Sequence, residues 1–256
     1  SKIADTLNPG AGTSNETDPT AKNNPTSTLK LSIGSWNVYK LGKQSSALSG
    51  IATLVKEVDI LGIQEAGNYA TAINNSLANN FAMYPTSKPE PRKITILYNN
   101  TKLSVLSKGY FNGGYQPEFD LQRQFVWIKF KEKGSGKVFY IINTHFPHAS
   151  GEEKNGMEYY NNDSNGKAWA AHMKKLVAKV STLQKEGLPI FITGDINFDY
   201  RSGNCTQPYS PCVALAKKLA VKSGWEYTRL KDIGNSAGTA SSSRVIDYVF
   251  SWQQSN

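Results

Sequence analysis

The segment Val58-Asp59-Ile60-Leu61-Gly62-Ile63-Gln64-Glu65 constrains the fold more than any other stretch of this chain. From Ile60 to Ile63 it is apolar without a break, and then it stops at Gln64 and Glu65. An apolar run this short reads as a strand covered on both faces. Such a strand demands a layer above and a layer below, so the chain must build sheets that pack on something else. Leu31–Val38, Lys93–Tyr98, Leu103–Leu106, Arg123–Phe130, Lys137–Asn143, Leu188–Thr193 and Arg244–Phe250 read as further strands. Turns are expected at Asn99-Asn100 and across Glu132–Gly136.

Helical spacing falls between these runs. Ser45 or Ser46 caps a helix whose apolar face is Leu48, Ile51, Leu54 and Val55. Asn68–Phe81 and Cys212–Ser223 are expected to be helical. Trp169, Met173, Leu176, Val180 and Leu183 form the strongest stripe, with Lys174, Lys175, Lys179 and Lys185 mostly off it. A Gly- and Asn-rich stretch, Ser150–Gly166, reads as a surface loop before that helix. Meandering strands with interspersed helices predict an α/β chain of sheets faced by helices, not a regular alternating wind.

Residues 1–29 are rich in Asn, Thr, Ser, Pro, Gly and Ala and cannot bury a core, so a flexible tail or linker is expected there. One domain is expected over 30–256. No run approaches the roughly 18 apolar residues of a membrane span. The net charge is +9, with Lys supplying most of the excess, which suits sequence-independent contact with a polyanion such as nucleic acid. Cys205 and Cys212, the chain's two cysteines, sit in a Pro-rich segment and read as a local disulfide, two free thiols, or half of a metal site. The disulfide reading implies a secreted or cell-surface protein.

Polar groups recur where four strands end, at Trp36-Asn37-Val38, Gln64-Glu65, Asn143-Thr144-His145 and Thr193-Gly194-Asp195-Ile196-Asn197, and Arg244-Val245-Ile246-Asp247-Tyr248 lies in the last strand. One carboxylate at a strand end is an ordinary cap. Several such ends, brought level at one mouth of a sheet, are an oxygen-rich site for a hard divalent cation, equipped for attack of water on phosphorus.

In that order, these motifs resemble the endonuclease/exonuclease/phosphatase (DNase I-like) superfamily, over about residues 31 to 250. Val58–Gly67 is similar to the nuclease subunit of cytolethal distending toxins. The resemblance implies a four-layered α/β sandwich of two packed mixed sheets flanked by helices. It implies a Mg²⁺-dependent phosphodiesterase (Mn²⁺ or Ca²⁺ taking the same place), acting on DNA or RNA, or else on lipid or inositol phosphates. The roles it implies are Glu65 as principal metal ligand with Asn37 beside it, Asp195 orienting or deprotonating water, and Asn197 helping to place it. His145 would donate to a phosphate oxygen, Asp247 would support the site, and Arg123 would contact the scissile or a neighbouring phosphate. His148 and His172 are expected to be structural. No stable protein partner is expected, and the chain should be a monomer.

The pattern breaks at one place. The family carries a further strand with Ser-Asp-His, whereas the nine residues after Asp247 contain neither Asp nor His. The expectation is a chain cut before its final strand and poorly active as written; a non-catalytic phosphate-binding relative is the alternative. The segment Tyr110-Phe111-Asn112-Gly113-Gly114-Tyr115 is read as a turn or as an aromatic loop for membranes.

Overall fold

The computed structural model describes residues 28–38, 44–67, 70–86, 94–147, 164–198, 210–223 and 247–255. Cys205, His148, Arg244 and nearly all of the expected tail lie outside the described residues.

Among the described residues ten strands form two sheets. They are β1 (Ile33–Asn37), β2 (Ile60–Gln64), β3 (Phe81–Tyr84), β4 (Thr95–Asn99), β5 (Leu103–Gln116), β6 (Leu121–Glu132), β7 (Val138–His145), β8 (Ile190–Asp195), β9 (Lys222–Ser223) and β10 (Asp247–Trp252). The smaller sheet has the order β1-β2-β4-β3 and the larger one β5-β6-β7-β8-β10-β9. Among the described residues the α-helices α1 (Gln44–Leu54), α2 (Ala70–Ser76) and α3 (Ser164–Gln184) accompany them. β1 and β2 are parallel, joined through α1, and β7 and β8 are parallel, joined through α3. A parallel pair needs such a crossover, and it leaves both carboxyl ends pointing the same way.

β2 behaves as its apolarity demands, since every residue in it is buried. Its side chains alternate between two cores. Ile60 joins the larger core with Ile96, Tyr98, Phe130 and Ile141, while Leu61 and Ile63 join the smaller core with Ile51 of α1 and Ile73 of α2. The α3 stripe is buried as expected, from Trp169 to Leu183, in the larger core beside Ile190 and Ile192 of β8. Helix, sheet, sheet, helix is the DNase I-like sandwich.

Three local expectations were wrong. Phe81 opens an edge strand and does not close a helix; α2 stops at Ser76. The Cys212–Ser223 helix ends early, at Leu219, with Cys212–Lys217 wound as a π-helix, because Lys222 and Ser223 pair with β10. Tyr110–Tyr115 is neither turn nor loop. It continues β5, paired along β6, with register shifts between Val105 and Ser107 and between Asn112 and Gly114. The hairpin turns at Pro117–Phe119 instead. The exposed large apolar side chains, Leu106, Tyr110, Tyr115 and Phe119, all belong to this hairpin among the described residues.

His172 is buried on α3, its Nδ1 donating to the Ala168 carbonyl at 2.6 Å, with Phe125, Phe146 and the Arg123 charge around it. Burial, more than Arg123, pushes its pKa down to about 4. In the unfolded chain the ring titrates near 6.5, so between these values only the unfolded chain binds the proton. Full stability is therefore present above pH 6.5 and is lost as pH falls toward 4, by roughly 3 kcal/mol at most. His172→Gln should flatten this acid loss, read as the difference between variant and wild type in urea unfolding at pH 7 and pH 5. An unchanged slope would remove His172 as its source.

Candidate active site

The two parallel pairs place their carboxyl ends at one mouth. Asn37 is the last residue of β1 and lies opposite Gln64 of β2, immediately before Glu65. His145 ends β7 opposite Asp195, which ends β8. Asp247, first residue of the antiparallel β10, also lies opposite Asp195. Asn37 and Glu65 thus lie within one register step in the smaller sheet, and His145, Asp195 and Asp247 share one register level in the larger.

Asn37 ties the two sheets together. Its Nδ2 donates to Glu65 Oε1 at 3.3 Å and to Asp195 Oδ2 at 2.9 Å. His145 Nε2 lies 3.5 Å from Glu65 Oε1 and 4.0 Å from Asp195 Oδ2. Asn197 donates its backbone N–H to Asp195 Oδ1 at 2.9 Å and its Nδ2 to the Phe146 carbonyl at 3.0 Å, fixing the loop after β8 against the end of β7. Glu65 and Asn197 both hold positive φ, +56° and +49°. For asparagine that conformation is tolerated, but for glutamate it is strained by about 1 kcal/mol or more, a strain characteristic of working sites. Asp195 is nearly inaccessible. Burial first, and the neighbouring Glu65 charge, raise its pKa to about 6 against the opposing effects of Asn37, Asn197 and Arg123.

Beneath the mouth lies a polar layer that the motifs did not reveal. Gln64 Nε2 donates to Asn143 Oδ1 at 2.7 Å, and Thr193 Oγ1 donates to the same oxygen at 3.0 Å. Asn143 Nδ2 donates to the carbonyls of Ile63 and Thr95, both at 2.9 Å. Each side chain is wholly buried. Glu65 follows Gln64 directly, and His145 and Asp195 lie two residues beyond Asn143 and Thr193. The layer therefore sets the spacing of the sheets just where the site needs it. Asn143 and Thr193 were legible only as members of strand-end motifs, without a role, and nothing in the sequence marked Gln116 as belonging near the site.

Arg123 is buried, 2 % exposed, behind His145. Its Nε donates to Gln116 Oε1 at 2.8 Å and its Nη1 to His145 Nδ1 at 2.7 Å.

Among the described residues no group of three or more His, Cys, Asp or Glu is arranged to cage a metal. Magnesium does not ask for one: it takes one or two carboxylates and completes its shell with water and substrate phosphate. The Glu65 carboxylate, 12 % exposed at the mouth with the Asn37 amide beside it, fits that demand.

The sequence pattern that defines the Endonuclease/Exonuclease/phosphatase family matches residues 34–254. The chain belongs to that family. Solved structures of similar fold include a Bacteroides thetaiotaomicron mannosyl-6-phosphatase, at 20 % identity over 87 % of this chain and 85 % of that one, TM-score 0.61. The human Nocturnin catalytic domain with bound sulfate aligns at 16 % identity over 84 % and 80 %, TM-score 0.61. D. rerio TDP2 complexed with single strand DNA product aligns at 15 % over 87 % and 84 %, TM-score 0.59. At these identities the likeness is one of fold. No curated protein matches the chain significantly by sequence. The likeness of Val58–Gly67 to the toxin nuclease stays a resemblance of sequence. No helix among the described residues is long and apolar enough to cross a membrane.

Proposed function

We propose that this Endonuclease/Exonuclease/phosphatase family member is a Mg²⁺-dependent phosphodiesterase that hydrolyses nucleic acid, DNA foremost. The observation that carries this reading is the Asn37 bridge. It holds Glu65 and Asp195, from different sheets, on one amide nitrogen with His145 Nε2 beside both.

Glu65, with Asn37 next to it, would hold the cation. A divalent ion held there would supply charge neutralisation for the phosphoryl group. Asp195 takes the proton of the attacking water; a buried carboxyl shifted to about 6 is suited to that near neutral pH. Asn197 keeps Asp195 oriented through its backbone N–H. His145 offers Nε2–H to a phosphate oxygen, and Asp247 flanks Asp195 from β10. Water attacks phosphorus, the bond to the leaving oxygen breaks, that oxygen takes a proton from solvent, and a phosphomonoester and an alcohol remain.

The charge of +9 favours a polyanion over a small sugar phosphate. One structural neighbour holds single strand DNA product and another is a mannosyl-6-phosphatase, so both substrate classes belong in the assay. A monomer without a stable protein partner, an extracytoplasmic location and the Cys205–Cys212 disulfide are part of the same proposal. Cys212 lies at the start of the π-helical turn, and peptide mapping without reductant checks the pairing.

Plasmid nicking with Mg²⁺, with and without EDTA, tests the reading. The expected result is metal-dependent cleavage that falls by at least about 100-fold in Glu65→Ala. Release of phosphate from sugar or inositol phosphates, with no cleavage of DNA, would transfer the reading to that class.

A further inference from the structure

We infer that Arg123 and Gln116 act through His145 as positioning residues, and that Arg123 is not itself a phosphate contact. The inference refines the proposed reaction and rests on that reading for its kinetic part, though not for its spectroscopic part.

The geometry begins with the β5–β6 hairpin. Between Asn112 and Gly114 the register of β5 shifts, with Asn112 Oδ1 accepting the Gly114 N–H at 2.9 Å. A bulge of this kind re-aims the side chains that follow it. Beyond it, Gln116 is wholly buried while its neighbour Tyr115 is exposed. Gly114 pairs with Arg123, and its backbone, at φ +133°, lies so close to α3 that a Cβ there would come within 2.6 Å of His172 Nδ1. The hairpin is therefore pressed onto α3 at the very residues that carry the arginine.

A buried guanidinium must be hydrogen-bonded, and it has only donors to offer. Arg123 gives Nε to Gln116 Oε1 and Nη1 to His145 Nδ1. Because the guanidinium cannot accept, Nδ1 of the imidazole must. The ring hydrogen of neutral His145 is then on Nε2, the nitrogen facing Glu65 and Asp195. Gln116 holds the arginine, the arginine selects the tautomer, and the tautomer aims a donor at the mouth. A histidine left to choose would populate both tautomers, and the one with hydrogen on Nδ1 presents a lone pair where a phosphate oxygen must bind. A guanidinium in direct contact with substrate would instead need to reach past His145 into the mouth, and the 2 % exposure of Arg123 argues against that.

The test is ¹⁵N NMR of the imidazoles, paired with kinetics on a small chromogenic phosphodiester in Mg²⁺. In the wild type, His145 should show an unprotonated Nδ1 and a protonated Nε2. A protonated Nδ1 in the wild type overturns the inference without any variant. Arg123→Met should mix or reverse the tautomers and lower kcat by roughly 10–100-fold with KM nearly unchanged. Gln116→Glu, which keeps the acceptor for Nε, should retain both tautomer and kcat, while Gln116→Leu loses them. A rise in KM at unchanged kcat in Arg123→Met, with the tautomer intact, would make Arg123 a substrate contact instead. If the wild type hydrolyses no phosphodiester, the proposed reaction fails, and the NMR result still decides the role of Arg123.

Discussion

Asp195→Asn is expected to lower turnover of a phosphodiester by roughly 100- to 10,000-fold, the range typical for loss of a general base. The substitution keeps the shape of the side chain and one acceptor oxygen. It loses the capacity to take a proton, and one of the two hydrogen bonds now received from Asn37 Nδ2 and the Asn197 N–H. The same variant should also change the acid profile of stability, measured without divalent ions. A carboxyl whose pKa rises on folding costs stability once pH passes its unfolded value near 3.8, and the cost is complete above about 6. Relative to the variant, the wild type should therefore lose stability as pH rises through that window, by up to roughly 3 kcal/mol. This slope is opposite in sign to that of His172 over nearly the same range, so each must be read as wild type minus its own variant. Turnover within a few-fold of wild type in Asp195→Asn would withdraw the assignment of Asp195 as the base.

Gly62→Ala should destabilise the fold by about 3 kcal/mol, although it adds a single methyl group to a strand. A Cβ on Gly62 would lie 2.2 Å from Thr193 Oγ1 and 2.8 Å from Asn143 Oδ1. Asn143 cannot retreat without breaking the hydrogen bonds that join the sheets, nor Thr193 without losing its bond to Asn143, so over-packing and lost polar satisfaction add. Gly136→Ala is the control: it has φ +71° and open space around it, so it should lose only about 1 kcal/mol to backbone strain. Thermal or urea unfolding of both variants measures the difference. Equal losses at the two glycines would mean that the layer beneath the site has room to give. Because that layer sets the separation of Glu65 from His145 and Asp195, activity in Gly62→Ala should fall below what its folded fraction explains.

The strands that carry the chemistry were legible because their apolar runs are short and end sharply. Ile60–Gln64, Val138–His145 and Ile190–Asp195 stand where the sequence placed them within a few residues. The α3 stripe was legible from spacing alone. β3 was missed because Phe81–Tyr84 is only four residues long and follows directly on a helical pattern. The second half of β5 was missed because Gly, Asn and Tyr there read as a turn; pairing along β6 overrides that preference, and two register shifts absorb the irregularity.

For the site, sequence alone supplied the candidates: Asn37, Glu65, His145, Asp195 and Asn197 are polar groups where apolar runs end, and Asp247 is a carboxylate within the last apolar strand. It also determined that helices cover both sheets, since β2 and β8 are too apolar to meet water. Only the tertiary structure decided that these ends are level, that Asn37 spans two carboxylates, and that Arg123 faces His145 from inside. Those facts depend on strand register, on a bulge in β5 and on the buried Gln64–Asn143–Thr193 layer. Each is a contact between residues far apart in the chain, and a local pattern carries no record of which distant partner a buried polar group will find.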